Sequence, residues 1–443
     1  MTLFRSKDDL VTLLRGAGGT LAIKLISALL LFTVQIVLAR ILGVESYGVY
    51  VIAQAWLLMM LLIGRQGFDL ATVRYVAAYQ SQRQWPLLRG FLGFSRKFVF
   101  STAMIVGACL ALGAWSLRAH YSVEIVGTLV LAAMVLPIFA LVEMQESALR
   151  GLNLVVRAQP AQAILNPIVI IVCLPLAVFW LKAPASAETA MAIYLGATVI
   201  SLTCVWIMLR RHLPGEVGIA TPEYRPREWI SASLAMMFLM GFVVLMNQVS
   251  LIVIGALQDS VTAGLYGAAS RIASTLQLPA AALGAAIGPM AADFHARGDL
   301  AALQRITCLG VRATFGLTLF GAIGLAVFGH LILGLLGEEF ITAYPIMMVL
   351  VAAQVVLAAV APAGILLNMT GYQNDSAKIM FICAVGNIVL LAVLIPPFGA
   401  LGAAIATSVT LAAWAGLLAL AVFRRINIIA AITLWPTGAT ERA

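Results

Sequence analysis

Thr20, Lys24, Ser27 and Gln35 lie at i, i+4, i+7 and i+15 of an otherwise apolar run from Thr20 to Leu42, and Leu31 fills the one gap in the helical stripe they form. A lysine inside hydrocarbon costs about 3 kcal/mol, so such a residue usually faces a bundle interior or a wet cavity, where cationic attraction and hydrogen bonding to a polar cargo become available. Lys24 has a second reading. Only about five residues from the helix start, it can snorkel its ammonium back to the headgroups while its stem lies in lipid. Gln35, about three turns deeper on the same face, has no such route and favours the cavity.

Other side chains with chemistry cluster at span ends. Arg65, Asp69 and the nearby Arg74 follow the second apolar run at spacings that suit helical ion pairs. Glu143, Glu146 and Arg150 close the fourth. Glu146 and Arg150 are four residues apart, which fits either an exposed i,i+4 pair or a gate. We take all six as gate candidates, and no acidic residue stands at mid-span. The five cysteines all fall inside apolar runs without CxxC or Cys/His spacing, and the four histidines lie in or beside loops. They read as structural residues, so no metal site, cofactor or catalytic set is expected. No nucleotide-binding loop is present, which argues against direct ATP use.

The elements that hold these residues are membrane spans. The chain is 63% hydrophobic and 10% charged, with a mean hydropathy of +1.04, too little polar surface to cover a soluble globule. A run of 23 residues at about 1.5 Å each crosses a hydrocarbon core of about 30 Å. Twelve such runs are separated by Gly, Pro or charge: 20–42, 47–63, 90–115, 125–147, 160–181, 189–209, 230–257, 263–289, 306–328, 344–368, 378–395 and 399–423. The fifth and eleventh are the least sharply bounded. A short interfacial helix is expected over Ser6–Leu14, and a helical continuation past the membrane after the second span. Prolines and glycines inside spans, among them Pro137, Pro167, Pro175, Pro279 and Pro362, are candidate hinges.

An even number of spans puts both termini on one side. Of the 27 Lys and Arg, two (Arg118, Lys182) fall on the opposite side, three (Lys24, Arg40, Arg271) fall in spans, and the remaining 22 lie on the side of the termini. This asymmetry assigns that side to the cytoplasm and explains most of the +9 net charge without nucleic acid. Arg40 reads as interfacial. The expected organisation is an N-terminal segment 1–18, a six-helix lobe 19–209, a cytoplasmic linker 210–229, a second six-helix lobe 230–423 and a tail 424–443. The halves carry traces of a repeat. Gly48 and Tyr50 align with Gly264 and Tyr266 at an offset of 216, which carries Leu31 onto Asn247. GLN from Gly151 leading to Asn166 resembles GYQN from Gly371 leading to Asn387 at 220 to 221.

LGVESYGVY (42–50), GFDLATVRYVAAY (67–79), ALRGLN (148–153), YGAASR (266–271) and PPFGALGAAIATS (396–408) together resemble the polysaccharide-transport branch of the multidrug/oligosaccharidyl-lipid/polysaccharide exporter superfamily, the Wzx-type flippases. The resemblance implies an all-α polytopic membrane protein, with about twelve transmembrane helices in two six-helix pseudo-repeats forming a V-shaped bundle like that of the multidrug extruders and lipid flippases. It implies movement of polyprenyl-diphosphate-linked oligosaccharide across the bacterial inner membrane for O antigen, capsule or exopolysaccharide, by alternating access. Membrane lipids, a polysaccharide polymerase and chain-length proteins are implied partners. A diphosphate needs cations in a wet path, and Lys24 and Arg271 are the candidates, with Gln35, Asn247 and Gln248 as hydrogen-bond partners. For Arg271, about eight residues into its span, a packed ion pair or a snorkelling arginine fits equally. Proton or sodium coupling stays open. Two rivals remain, an extruder of organic cations, which calls for a cavity carboxylate, and a membrane enzyme of polysaccharide assembly, which calls for a large outer loop.

Overall fold

The computed structural model describes the backbone of residues 7–154, 161–426 and 428, and side chains from 26 onward apart from 161, 238–240, 242, 243, 285, 286 and 289. Among the described residues the secondary structure is helical throughout: α1 (Lys7–Arg65), α2 (Phe68–Ser81), α3 (Trp85–Ser116), α4 (Val123–Gly151), α5 (Asn166–Pro175), α6 (Ala187–His212), α7 (Gly215–Ile219), α8 (Pro226–Leu257), α9 (Ser260–Ser274), α10 (Leu278–Ala296), α11 (Leu300–Leu336), α12 (Tyr344–Ala358), α13 (Ala363–Met369) and α14 (Gln373–Ile426).

Two of these are hairpins of helices. α1 breaks at Gly43 (φ 72, ψ 173) and α14 at Gly399 (φ 55, ψ −134), backbone angles that L side chains rarely adopt. A hydrogen bond shows that the first break reverses the chain. Tyr47 Oη donates to Gln35 Oε1 at 2.8 Å, whereas twelve residues of straight helix would hold the two backbones about 18 Å apart. Among the described residues eight helices are long and apolar enough to cross a membrane. Counting two spans in each hairpin makes ten, and α8 with the α9–α10 pair supplies the rest of the expected twelve.

Contacts divide the chain into units 1–244 and 245–443. In the first, α4 is the central helix, packed on α1, α2, α3 and α6, and half of its apolar window is buried against 22% for α3. Ser122 caps α4 and Ser186 caps α6, each accepting from the backbone N–H three residues on, and Glu124 of α4 accepts from Ala187 N at 2.7 Å to bind the two starts together. Pro137 stands inside a continuous α4, whereas Pro167 sits in the first turn of α5 and Pro175 at its end, each beside a wider π-helical turn. That unevenness accounts for the indistinct fifth span.

In the second unit an apolar core gathers Ile287, Leu303, Leu366, Leu418 and Val422 from α10, α11, α13 and α14. The eighth expected span is divided by a tight turn at Thr275–Gln277, just before Pro279, and the tenth opens after Ala358, just before Pro362. Asp259 caps α9 through Thr262 N at 2.8 Å, and this hydrogen bonding holds its carboxyl below the usual carboxylate range.

The expected interfacial helix is not separate. Ser6 lies outside the described residues, and from Lys7 the backbone runs unbroken into the first span. After the second span the chain continues as α2, as expected. Both ends of the expected linker are helical, since α6 reaches His212 and α8 begins at Pro226. What lies between is fastened to the first unit. Glu223 N bonds Pro86 O at 3.0 Å, and Arg89 donates to the carbonyls of Gly218 and Ala220 at 2.7 Å each. Trp229, fully buried, donates to Tyr79 Oη at 2.9 Å and meets Phe91 edge-on at 5.2 Å. Tyr75 reaches Glu228, and burial pushes both phenols up.

Candidate functional site

The polar stripe of the first span is only partly a face. The side chains of Thr20 and Lys24 lie outside the described residues. Ser27 is buried, Leu31 is 52% exposed, and Gln35 is half-buried with its carbonyl engaged by Tyr47. Gln35 therefore joins the two arms of α1, whatever else its amide serves. Arg40 is exposed near the bend.

In the second unit Asn247 is exposed, while Gln248 and Arg271 are half-buried, and both Asn247 and Arg271 have interaction partners of their own. One turn from Asn247, Ser250 Oγ lies 3.0 Å from Thr407 Oγ1, which in turn lies 3.2 Å from Tyr266 Oη. This knot ties α8, α9 and the second arm of α14. Sequence reasoning passed over it because isolated hydroxyls in an apolar helix give no periodic signal.

The gate candidates come together in part. Arg65, at the end of α1, pairs with Glu143 of α4 and stands 3.4 Å from Asp69 in the first turn of α2, all three side chains no more than 22% exposed. A tight turn makes this possible. Gln66 (φ 48) and Gly67 (φ 77) break the helix between α1 and α2, and a methyl on Gly67 would run into the backbone of Ser233 and Met237 in α8. Thr102 of α3 braces the site by donating to Gly64 O at 2.6 Å. The remaining three stand apart. Arg74 is exposed, over the Tyr75 ring at 5.7 Å. Glu146 is 8% exposed, with one carboxylate oxygen sealed and unpartnered, and Arg150 turns instead to Ser147 Oγ at 2.8 Å. An exposed Glu146–Arg150 pair is therefore not what the fold builds.

The repeat has a structural echo. Asn166 and Asn387, paired at an offset of 221, are 4% and 1% exposed, and each leaves its carbonyl oxygen buried without a partner. Asn387 donates to Thr410 Oγ1 at 3.0 Å. Among the described residues no group of His, Cys, Asp and Glu is placed to hold a metal.

Three comparisons place this architecture. The model of a family described as polysaccharide biosynthesis protein matches residues 13–295, more than half of the chain. No curated protein matches by sequence. Among solved structures, an inward-facing multidrug resistance MATE transporter of the MOP superfamily superposes with a TM-score of 0.76 at 14% identity, covering 93% of this chain and 98% of that one. The lipid II flippase MurJ, in an inward closed conformation, gives 0.66 at 12% identity, covering 90% and 86%. A MOP transporter from Pyrococcus furiosus, described as having a binding pocket of reversed polarity, gives 0.57 at 12%, covering 90% and 95%. At these identities the structures speak for the fold. With the family match they lead to one conclusion: this multi-pass membrane chain belongs to the polysaccharide biosynthesis protein family and is built on the MOP transporter fold.

Proposed function

We propose that the protein is a flippase that carries polyprenyl-diphosphate-linked oligosaccharide across the bacterial inner membrane by alternating access, with both termini in the cytoplasm and no enzymatic step of its own. The observation that carries this reading is the family match over residues 13–295 on a fold that MurJ, a lipid II flippase, also uses. The physical chemistry agrees with it. A diphosphate is costly to desolvate and needs cations, and this reading assigns that role to Lys24 and Arg271, with Gln35, Asn247 and Gln248 as hydrogen-bond partners. The half-buried Arg65–Asp69–Glu143 group is proposed to close the cytoplasmic end of the first unit. A polymerase and chain-length proteins would take the product on the far side.

The test is glycan export in cells that lack the native transporter. Lys24→Ala and Arg271→Ala should each lower export at unchanged protein level and leave lipid-linked oligosaccharide in the inner leaflet, while Arg40→Ala should do much less. Equal loss in all three, or efflux of cationic dyes in place of glycan export, would overturn the assignment.

A further inference from the structure

Ile219 stands outside every expected span, at the end of the short helix α7, and its side chain is 87% exposed. A single exposed apolar side chain is ordinary. The place of this one is not. Arg89 donates to the carbonyls of Gly218 and Ala220, at 2.7 Å each, and so holds the backbone on both sides of Ile219. α7 packs on α3, with Val217 buried and Ile219 left uncovered. Further along, Glu223 N bonds Pro86 O at 3.0 Å, and Tyr224 beside it is 56% exposed. Residues 215–224 thus form a strap tied to the first turns of α3. Its attachment is on the lipid-facing side. Arg89 begins a helical stripe of α3 that continues through Lys97, Phe100, Met104 and Trp115, all exposed, and in a helix long and apolar enough to cross a membrane such a stripe faces acyl chains. On α6, Ile200, Ile207 and Arg211 repeat the pattern, and α7 follows closely on the end of α6 at His212. The depth fits as well. Arg89 lies just outside the third expected span, and His212 lies about 4.5 Å beyond the sixth, which is the headgroup layer. Trp85 at the start of α3 and Trp206, with Arg210 over its ring at 3.8 Å, are side chains of the type that settles there.

We propose that residues 215–224 are a bilayer-surface anchor, with Ile219 seated at the boundary of headgroups and acyl chains and Tyr224 among the headgroups. The partner is the phospholipid of that leaflet, and the strap continues the surface that α3 and α6 already present to it. Apolar burial drives the contact, because the charges around the strap are mixed. Glu216 on α7 is exposed, Glu223 pairs with Arg225 at 2.9 Å and Glu228 accepts from Tyr75, while Arg89, Lys97, Arg211 and Arg227 carry the opposite sign. Zwitterionic headgroups suit such a mixture, since they offer phosphate to the cations and ammonium to the carboxylates. This inference rests on the membrane fold and is independent of the cargo.

The experiment uses the full-length protein in a cysteine-free background, reconstituted in phosphatidylcholine vesicles so that no anionic lipid contributes. A nitroxide is placed at one position at a time: Met104→Cys on the lipid-facing stripe, Ile219→Cys on the strap, and Gln82→Cys in the exposed turn before α3. Collisions with oxygen, which partitions into lipid, are compared with collisions with a nickel chelate, which stays in water. The oxygen-to-nickel ratio at 219 should exceed that at 82 several-fold and fall below that at 104, at a depth of about 5 to 10 Å into the headgroup and acyl boundary. A ratio at 219 equal to that at 82 would overturn the proposal, since the strap would then lie in water. Shielding of 219 from both reagents would overturn it too, by showing a protein cover such as a second copy. A photoreactive benzoyl-phenylalanine at 219, in protein that keeps its native cysteines, gives an independent reading. It should cross-link phospholipid as the same group at 104 does, and cross-links to protein alone would count against the anchor.

Discussion

Gln35 has one role expected and another observed. Its spacing with Lys24 gives the expectation of polar lining, and the fold makes it the acceptor for Tyr47, which is fully buried. Truncation of the phenol to Phe keeps the ring and leaves a half-buried carbonyl without its donor, which costs about 1 to 3 kcal/mol. We expect Tyr47→Phe to lower the unfolding midpoint in detergent accordingly, and the double change with Gln35→Leu to recover part of it, since both partners are then apolar. Equal stability of Tyr47→Phe and the parent would show that the bond contributes nothing. The stripe was legible because its period is a property of one helix. Tyr47 was not, because it meets Gln35 only after the chain reverses, and nothing local in sequence states the angle of a reversal. The same reason hid the partner of Arg65. Glu143 is 78 positions away, so sequence spacing offered only Asp69.

At the scale of elements the reversals are the most informative feature. The first expected span ends at Leu42 beside Gly43, and the twelfth begins at Gly399, four residues after Ile395, because glycine is where an apolar run can leave helical geometry. The breaks inside the eighth and tenth spans were harder to read. Both lie in stretches apolar on every side, where hydropathy has no contrast and only Pro279 and Pro362 leave a trace. Gly43 supplies a clean test, because a methyl there would meet nothing within 4 Å, so its cost is conformational alone. Gly43→Ala should lose about 1 to 3 kcal/mol. Gly93→Ala, also in open space but inside α3, should be neutral or gain up to about 1 kcal/mol. Detergent unfolding of the two variants side by side decides it, and equal behaviour would mean that the bend does not depend on the glycine angle.

For the molecule as a whole, composition already fixes a polytopic membrane protein and charge asymmetry suggests which end faces the cytoplasm, since both are sums over many residues and survive local errors. The mechanical status of the linker is a different matter. Three prolines and several charges between Arg210 and Trp229 read as a loose connection, yet the segment is held by Arg89, by Pro86 O and by an aromatic cluster of Phe91, Phe94, Tyr79 and Trp229. Those partners sit on α2 and α3, so the chain is anchored to the first unit at least as far as Trp229. The closest approach is at Gly90, where a methyl would run into the backbone carbonyl of Glu223 and no flexible side chain is available to yield. In Gly90→Ala the linker must lift from α3, although helix propensity alone favours alanine by about 1 kcal/mol. Amides of residues 218–225 should then exchange hydrogen faster, led by Glu223 as it loses the Pro86 carbonyl, while amides of α4 stay protected. Gly218→Ala, with open space around it, is the matched control and should leave exchange unchanged. Were Gly90→Ala to leave linker exchange at the parental rate, the segment would be a tether that happens to touch α3. Faster exchange confined to it would make it a fixed part of the first unit, held through Arg89, Pro86 and Trp229.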